Sequence, residues 1–104
     1  MIMSRSVPEN LLALADTWSP LFKVLGDPTR LRLLLTMHYL GPGSASVSEL
    51  AELTGLRTAT TSAALKLMQQ SGILTAERDG RQTFYSVANS EAHTLLHHIG
   101  GIHE

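Results

Sequence analysis

Two groups of residues in the chain have the types and spacing to do chemistry. The first lies between residues 57 and 82. Arg57 is followed by Thr58, Thr60, Thr61, Ser62 and Lys66, with Leu65 and Met68 recurring behind them at helical spacing. A helix that enters the major groove of duplex DNA needs short polar or cationic side chains on its exposed N-terminal face and an apolar stripe at its back. Hydroxyls bond phosphates or base edges, threonine methyls meet thymine methyls, and an arginine at the preceding turn can clamp a phosphate. Arg78, Arg81 and Gln82 surround Asp79-Gly80, a strong hairpin signal, and are candidates for contacting the flanking DNA backbone. Taken alone, residues 58–70 would also suit an ordinary polar helix in a small bundle; the cationic hairpin directly after them favours DNA.

The second group is made of histidines. The chain has five, and His93, His97, His98 and His103 crowd its last stretch together with Glu91 and Glu104. His93 and His97 are four apart, so their imidazoles share one helical face and could chelate one ion. Imidazole with carboxylate suits zinc, nickel or cobalt. Glu91, His93, His97, His103 and Glu104 are therefore candidate ligands, whereas His98 faces away from the His93–His97 edge. The alternative is a solvated terminal helix whose histidines do nothing specific. His38 sits on the apolar face of its own helix and reads as a core or interface histidine.

The elements that must position these groups follow from periodicity and punctuation. Residues 1–8 read as a flexible arm ending at Pro8, and 9–104 as one domain. Leu11, Leu12, Leu14 and Ala15 suit a short helix to Trp18, after which Ser19-Pro20 predicts a second short helix closed by Gly26. Asp27-Pro28 is the clearest helix start, an acceptor side chain followed by a residue with no N–H to orphan. That helix ends near Leu40, before Gly41-Pro42-Gly43. Ser46 or Ser48 caps the next one, which carries Leu50, Ala51 and Leu53 and stops at Gly55. Thr58 is expected to cap a helix through Gln70, ended by Gly72. Residues 73–76 and 82–87 are β-prone runs, and Asn89 or Ser90 caps a last helix whose end Gly100-Gly101 weakens. The expected fold is mainly α: a winged helix-turn-helix of about five to six helices with a two-stranded β-hairpin wing.

Composition narrows the function classes. A chain of 104 residues, 43% hydrophobic and 16% charged, fits one ordered domain. The absence of cysteine excludes a disulfide scaffold, a thiolate zinc site, an iron–sulfur centre and a cysteine nucleophile. A net charge of −1 argues against a chain that coats nucleic acid throughout. Locally, however, residues 53–88 hold four cations against two carboxylates. With neither a secretory h-region nor a bilayer-length apolar run, the expectation is a soluble cytoplasmic protein with no membrane partner. No phosphate loop, Gly-x-Ser-x-Gly elbow or His-Glu-x-x-His is present, so no enzymatic activity is expected. Leu11, Leu12, Leu14, Trp18, Leu95, Leu96 and Ile99 make the flanking helices more apolar than a small winged domain must be, which suits a homodimer interface. Intramolecular packing alone is the alternative.

Leu25-Gly26-Asp27-Pro28-Thr29-Arg30-Leu31-Arg32-Leu33-Leu34 resembles the signature of the ArsR/SmtB repressors. Val47 to Leu56, Leu65-Lys66-Leu67-Met68 with Ser71-Gly72-Ile73-Leu74, and Arg78 to Arg81 through Phe84-Tyr85-Ser86 follow in the same order, so that the resemblance covers Phe22 to Ala88. It implies a homodimer joined by the first and last helices, a palindromic double-stranded operator, repression without ligand, and release by an inducer that is often a metal ion. The departures are informative. Ser46-Val47-Ser48 stands where many members carry a Cys-x-Cys sensor, and hydroxyls do not replace thiolates for soft ions. Ser62-Ala63-Ala64-Leu65 replaces a frequent Ser-x-His-Leu, so operator sequence does not transfer. The family's zinc, cobalt and nickel sensors pair an acidic residue and a histidine two apart with a second histidine pair from the partner chain. Glu91-Ala92-His93 matches the first half, but position 104 is Glu and the tetrad is incomplete. The expected function is a dimeric DNA-binding repressor responding to Ni2+, Zn2+ or Co2+ through its terminal histidines. Its alternatives are a winged-helix protein-interaction module and a repressor with a non-metal effector.

Overall fold

A computed structural model describes residues 4–104. The chain runs α1 (Glu9–Leu25), α2 (Pro28–Leu40), α3 (Val47–Thr54), α4 (Thr58–Gln70), β1 (Leu74–Asp79), β2 (Gln82–Val87) and α5 (Ser90–His98). This is the mainly helical, winged arrangement that the sequence predicts, with five helices. The sixth is lost because residues on both sides of Pro20 form one helix. Proline removes one intrahelical hydrogen bond and usually kinks or ends a helix. Here Leu21, Val24 and Leu25 fasten the segment after it to the core, and the Trp18 and Phe22 rings flank it at 6.2 Å between centroids. Of the arm read at 1–8, residues 4–8 are exposed and without regular structure, and 1–3 lie outside the described residues.

Helix α2 is the central element and packs against α1, α3, α4, α5 and β2. Its start is built as the sequence predicts, with Asp27 Oδ2 accepting from the Arg30 N–H at 2.9 Å. The Arg30 guanidinium then donates to the carbonyls of Val24 and Lys23 at 3.0 and 3.2 Å. Those carbonyls end α1, and that of Val24 also accepts from the Asp27 N–H, so one arginine helps to fix how α1 meets α2. The core gathers Leu33, Leu34 and Met37 of α2, Leu50 of α3, Leu65 and Met68 of α4, Leu74 and Tyr85 of the hairpin, and Leu96 of α5. Leu96, expected at a dimer surface, is thus committed to the chain's own core, and Leu95 is half-buried. The helical repeat turns Leu96 inward together with Ala92, four residues before it.

Strand β1 extends beyond the predicted 73–76 because Glu77, Arg78 and Asp79 pair with Phe84, Thr83 and Gln82 in one antiparallel ladder. Gly80-Arg81 forms the turn, with Gly80 at φ +62°. Helix α1 stands apart from this body. Val24 is its one buried residue, and the radius of gyration, 17.0 Å, exceeds the roughly 13 Å of a compact chain this long. No helix among the described residues is long and apolar enough to cross a membrane.

Candidate nucleic-acid interface and a histidine cluster

The turn between α3 and α4 is set by Gly55 in the left-handed conformation, φ +73°. Its N–H donates to the Glu52 carbonyl and that of Leu56 to the Ala51 carbonyl, the paired bonds that close a helix and redirect the chain. Arg57 follows as the residue flanking α4, exposed and with no side-chain cap on the helix start. It takes the position expected of Thr58, which begins the helix proper. The first-turn N–H groups therefore remain open to an anionic partner.

Along α4, Thr58, Ala59, Thr60, Ala63 and Lys66 are exposed and Ser62 is half-buried. Thr61 is not at the surface. It is fully buried, and its hydroxyl donates to the Arg57 carbonyl at 2.9 Å, so its expected contact with DNA is corrected to a role in the core. Thr61 falls four before Leu65 and seven before Met68, the spacing of one helical face, which was the signal available for placing it inward. The same repeat puts Ala59 and Ala63 outward, where their methyls suit thymine methyls. Arg78, Arg81 and Gln82 are exposed at the hairpin tip, with Arg78 Nε donating to the Gly80 carbonyl at 3.2 Å.

A second site takes shape where α5 meets α2. His93 and His97 occupy one edge of α5 as predicted. Gly100 and Gly101 then reverse the chain: the Gly100 N–H donates to the His97 carbonyl and that of Gly101 to the Leu96 carbonyl. These glycines do not merely weaken a helix end; they form a capping turn. Beyond it the chain returns along α2, where the Glu104 N–H donates to the Tyr39 carbonyl at 2.8 Å and His103 Nδ1 to the His38 carbonyl at 2.9 Å. His103 Nε2 lies 2.9 Å from His97 Nε2, which is 3.1 Å from His93 Nε2.

His38, expected as a core histidine, is indeed buried, yet it is also the floor of this cluster. Its ring centroid is 4.0–4.8 Å from those of the other three, and one ring nitrogen from each of the four residues lies within 4.8 Å of all the others. Burial, and then the charge its neighbours would carry, hold the His38 imidazole below its ordinary pKa, with the nearby Gly101 backbone opposing. Burial and the neighbours His103 and His93 lower His97 as well. The two candidate carboxylates are absent from the cluster. Glu91 is exposed at the start of α5 and accepts from the Ser90 hydroxyl, and the backbone N–H rather than the side chain of Glu104 holds the tail to α2. The helical repeat separates Glu91 from the His93–His97 edge. His98 lies outside the cluster, as its helical position predicts.

Comparison with known proteins agrees with the winged-helix fold. The family model described as MarR family matches residues 27–82, from the α2 cap to the start of β2. The chain is 32% identical over 81 residues to a probable mercury resistance operon repressor of Streptomyces lividans, covering 78% of this chain but only 62% of that protein's length. The crystal structure of the predicted DNA-binding transcriptional regulator from E. coli superposes with a TM-score of 0.79 at 30% identity, covering 86% of this chain and 93% of the other. The homodimeric winged helix-turn-helix DNA-binding domain of a possible ArsR-family regulator from Mycobacterium bovis gives 0.71 at 25% identity, covering 92% and 86%. The family model matched is MarR and not the ArsR/SmtB family that the sequence resembles, although one structural neighbour is described as a possible ArsR-family regulator. With its α2 cap, helix-turn-helix and wing all within or adjoining the matched region, the chain belongs to the MarR family of winged helix-turn-helix transcriptional regulators.

Proposed function

We propose that the chain is a dimeric DNA-binding repressor of the ArsR/SmtB type that reads a palindromic operator and responds to a borderline divalent metal ion. One observation carries the DNA part: α4 presents an uncapped start, a strip of small side chains and Lys66 outward, beside the exposed cations of the wing. Within this reading Thr58, Thr60 and Ser62 meet base edges or phosphates, Arg57 and Lys66 neutralise phosphates, and Arg78, Arg81 and Gln82 track the flanking backbone. The dimer part is supported by the unpartnered apolar face of α1, with Leu11, Leu14 and Phe22 exposed, and by the homodimeric Mycobacterium domain of the same fold.

The effector part is supported by chemistry. The mercury-resistance relative is named for a thiophilic metal, whereas this chain contains no cysteine to bind one. The recess beside the histidines, lined by Met37, Pro42 and Val87 among others, holds only ≈ 50 Å³, too little for a drug-sized ligand at that place, whereas the open groove along α1 at Leu14, Trp18 and Phe22 holds ≈ 680 Å³.

Binding to a duplex selected from a random library tests the DNA reading. Affinity is expected to fall with a log–log salt slope of about −0.9 per neutralised phosphate. Lys66→Ala and Arg81→Ala should each weaken binding to all sequences alike and flatten that slope by about one contact. Thr60→Ala should instead change the selected sequence, while Thr61→Ala should act on stability. A salt-independent affinity, or an unchanged selection with Thr60→Ala, would defeat the assignment of α4.

A further inference from the structure

We propose that His38, His93, His97 and His103 of a single chain form a complete tetrahedral all-imidazole site for one zinc-class divalent ion, and that the ion pins the C-terminal tail to α2 and α5. The inference goes beyond the metal response above, on which it does not depend, because the site needs no partner chain, no carboxylate and no DNA.

Hydrogen bonds among neutral rings alone cannot satisfy the cluster. The His38 carbonyl only accepts, so His103 Nδ1 must carry a proton, and in the neutral ring its Nε2 lone pair then faces His97. His97 Nε2 is in contact with both His103 Nε2 and His93 Nε2, at 2.9 and 3.1 Å. If it is protonated it has one proton for two acceptors; if it is not, its lone pair opposes that of His103. His38 adds a ring that is only 4% exposed, with both nitrogens buried and neither in good hydrogen-bond geometry, although the Gly101 backbone lies close enough to favour its charged form. A buried polar atom left unpaired costs free energy, and a neutral imidazole offers just what a metal requires. One ion at the centre would take a lone pair from each ring, removing the conflict among His93, His97 and His103 and giving one of the two buried His38 nitrogens a partner.

Dimensions agree with that role. A metal–nitrogen bond of about 2.0–2.1 Å gives tetrahedral edges of about 3.3–3.4 Å. The nitrogens already span 2.9 Å to at most 4.8 Å, within reach of small ring rotations. The His103–carbonyl bond supplies the outer contact that fixes ligand tautomer and orientation in metal sites. Four neutral nitrogen ligands in a tetrahedron favour zinc and cobalt(II). They disfavour nickel, which prefers tetragonal geometry, and calcium or magnesium, which need oxygen.

Cobalt(II) titrated into the metal-free full-length protein is the test, read by its visible absorption. One equivalent per chain is expected to give the intense spectrum of a tetrahedral site, and zinc to displace it. His38→Leu is the decisive variant. It replaces a buried ring with neither nitrogen in good hydrogen-bond geometry by an apolar side chain, so the fold should be kept, yet cobalt affinity should fall by about 100-fold or more, beyond the loss typical of outer-shell changes. The exposed His103→Ala should do the same, and His98→Ala should bind like the parent. A weak octahedral spectrum, half-equivalent stoichiometry, or full affinity in His38→Leu would overturn the proposal. Failure of the protein to bind any DNA while this spectrum persists would count against the regulator reading and leave the site standing.

Discussion

Placing charge on the free face of α1, with Leu11→Glu and Leu14→Glu together, is expected to yield a folded monomer that binds a palindromic operator about 100- to 10,000-fold more weakly than the parent. Within one chain these leucines are 53% and 50% exposed and belong to no part of the core, so their loss should leave the helical circular dichroism and the α2–α5 body intact. The effect comes from elsewhere. Leu11, Leu14, Trp18 and Phe22 recur at three- and four-residue intervals along an extended helix whose one buried residue is Val24. That is an apolar seam without a partner, and a second copy related by a two-fold axis closes it with the same residues. Two reading helices joined in this way bind the second half-site intramolecularly, and separating them forfeits that effective concentration. Sedimentation and an operator titration on the same sample check both halves of the expectation. A dimer that persists, or a monomer that binds undiminished, would remove α1 from the interface.

The parts of this architecture that could be read in the sequence are those decided by neighbours in the chain. Asp27, Ser46 and Asn89 each cap the helix that follows, because a short acceptor side chain beside the first turn satisfies an orphan N–H whatever the rest of the fold does. Gly55 and Gly80 take the positive φ that their turns require. What could not be read depends on tertiary contacts. Pro20 signals a helix start locally, and only the anchorage of Leu21, Val24 and Leu25 lets the helix run through it. Thr61 and Leu96 were legible in principle, since the helical repeat of their apolar neighbours turns both inward. His38 was not. Its burial followed from its place on α2, but its company is created by a chain reversal 62 positions later that carries His103 back to its carbonyl.

That reversal can be tested without touching a ligand. Gly101→Ala keeps all four histidines in the chain and is expected to lower cobalt affinity by about 100-fold, approaching the loss in His103→Ala because it withdraws that ligand from the site. At Gly101 an added Cβ would lie 2.6 Å from the Leu96 carbonyl oxygen and 3.2 Å from atoms of His38 and Leu35. The nearest obstacle is backbone of α5 and cannot swing aside as a side chain would. It is also the acceptor of the Gly101 N–H, so relieving the clash breaks the bond that closes the turn. The residues after it then lose their path along α2, and His103 leaves its 2.9 Å contact with the His38 carbonyl while α5 keeps His93 and His97 in place. The remaining rings would hold cobalt with water completing its shell, seen as a weaker absorption, and metal-free DNA affinity should be unchanged because α4 and the wing lie elsewhere. A variant that binds cobalt with the parent's affinity and spectrum would show that His103 reaches the ion by another route, or that the ion does not use it.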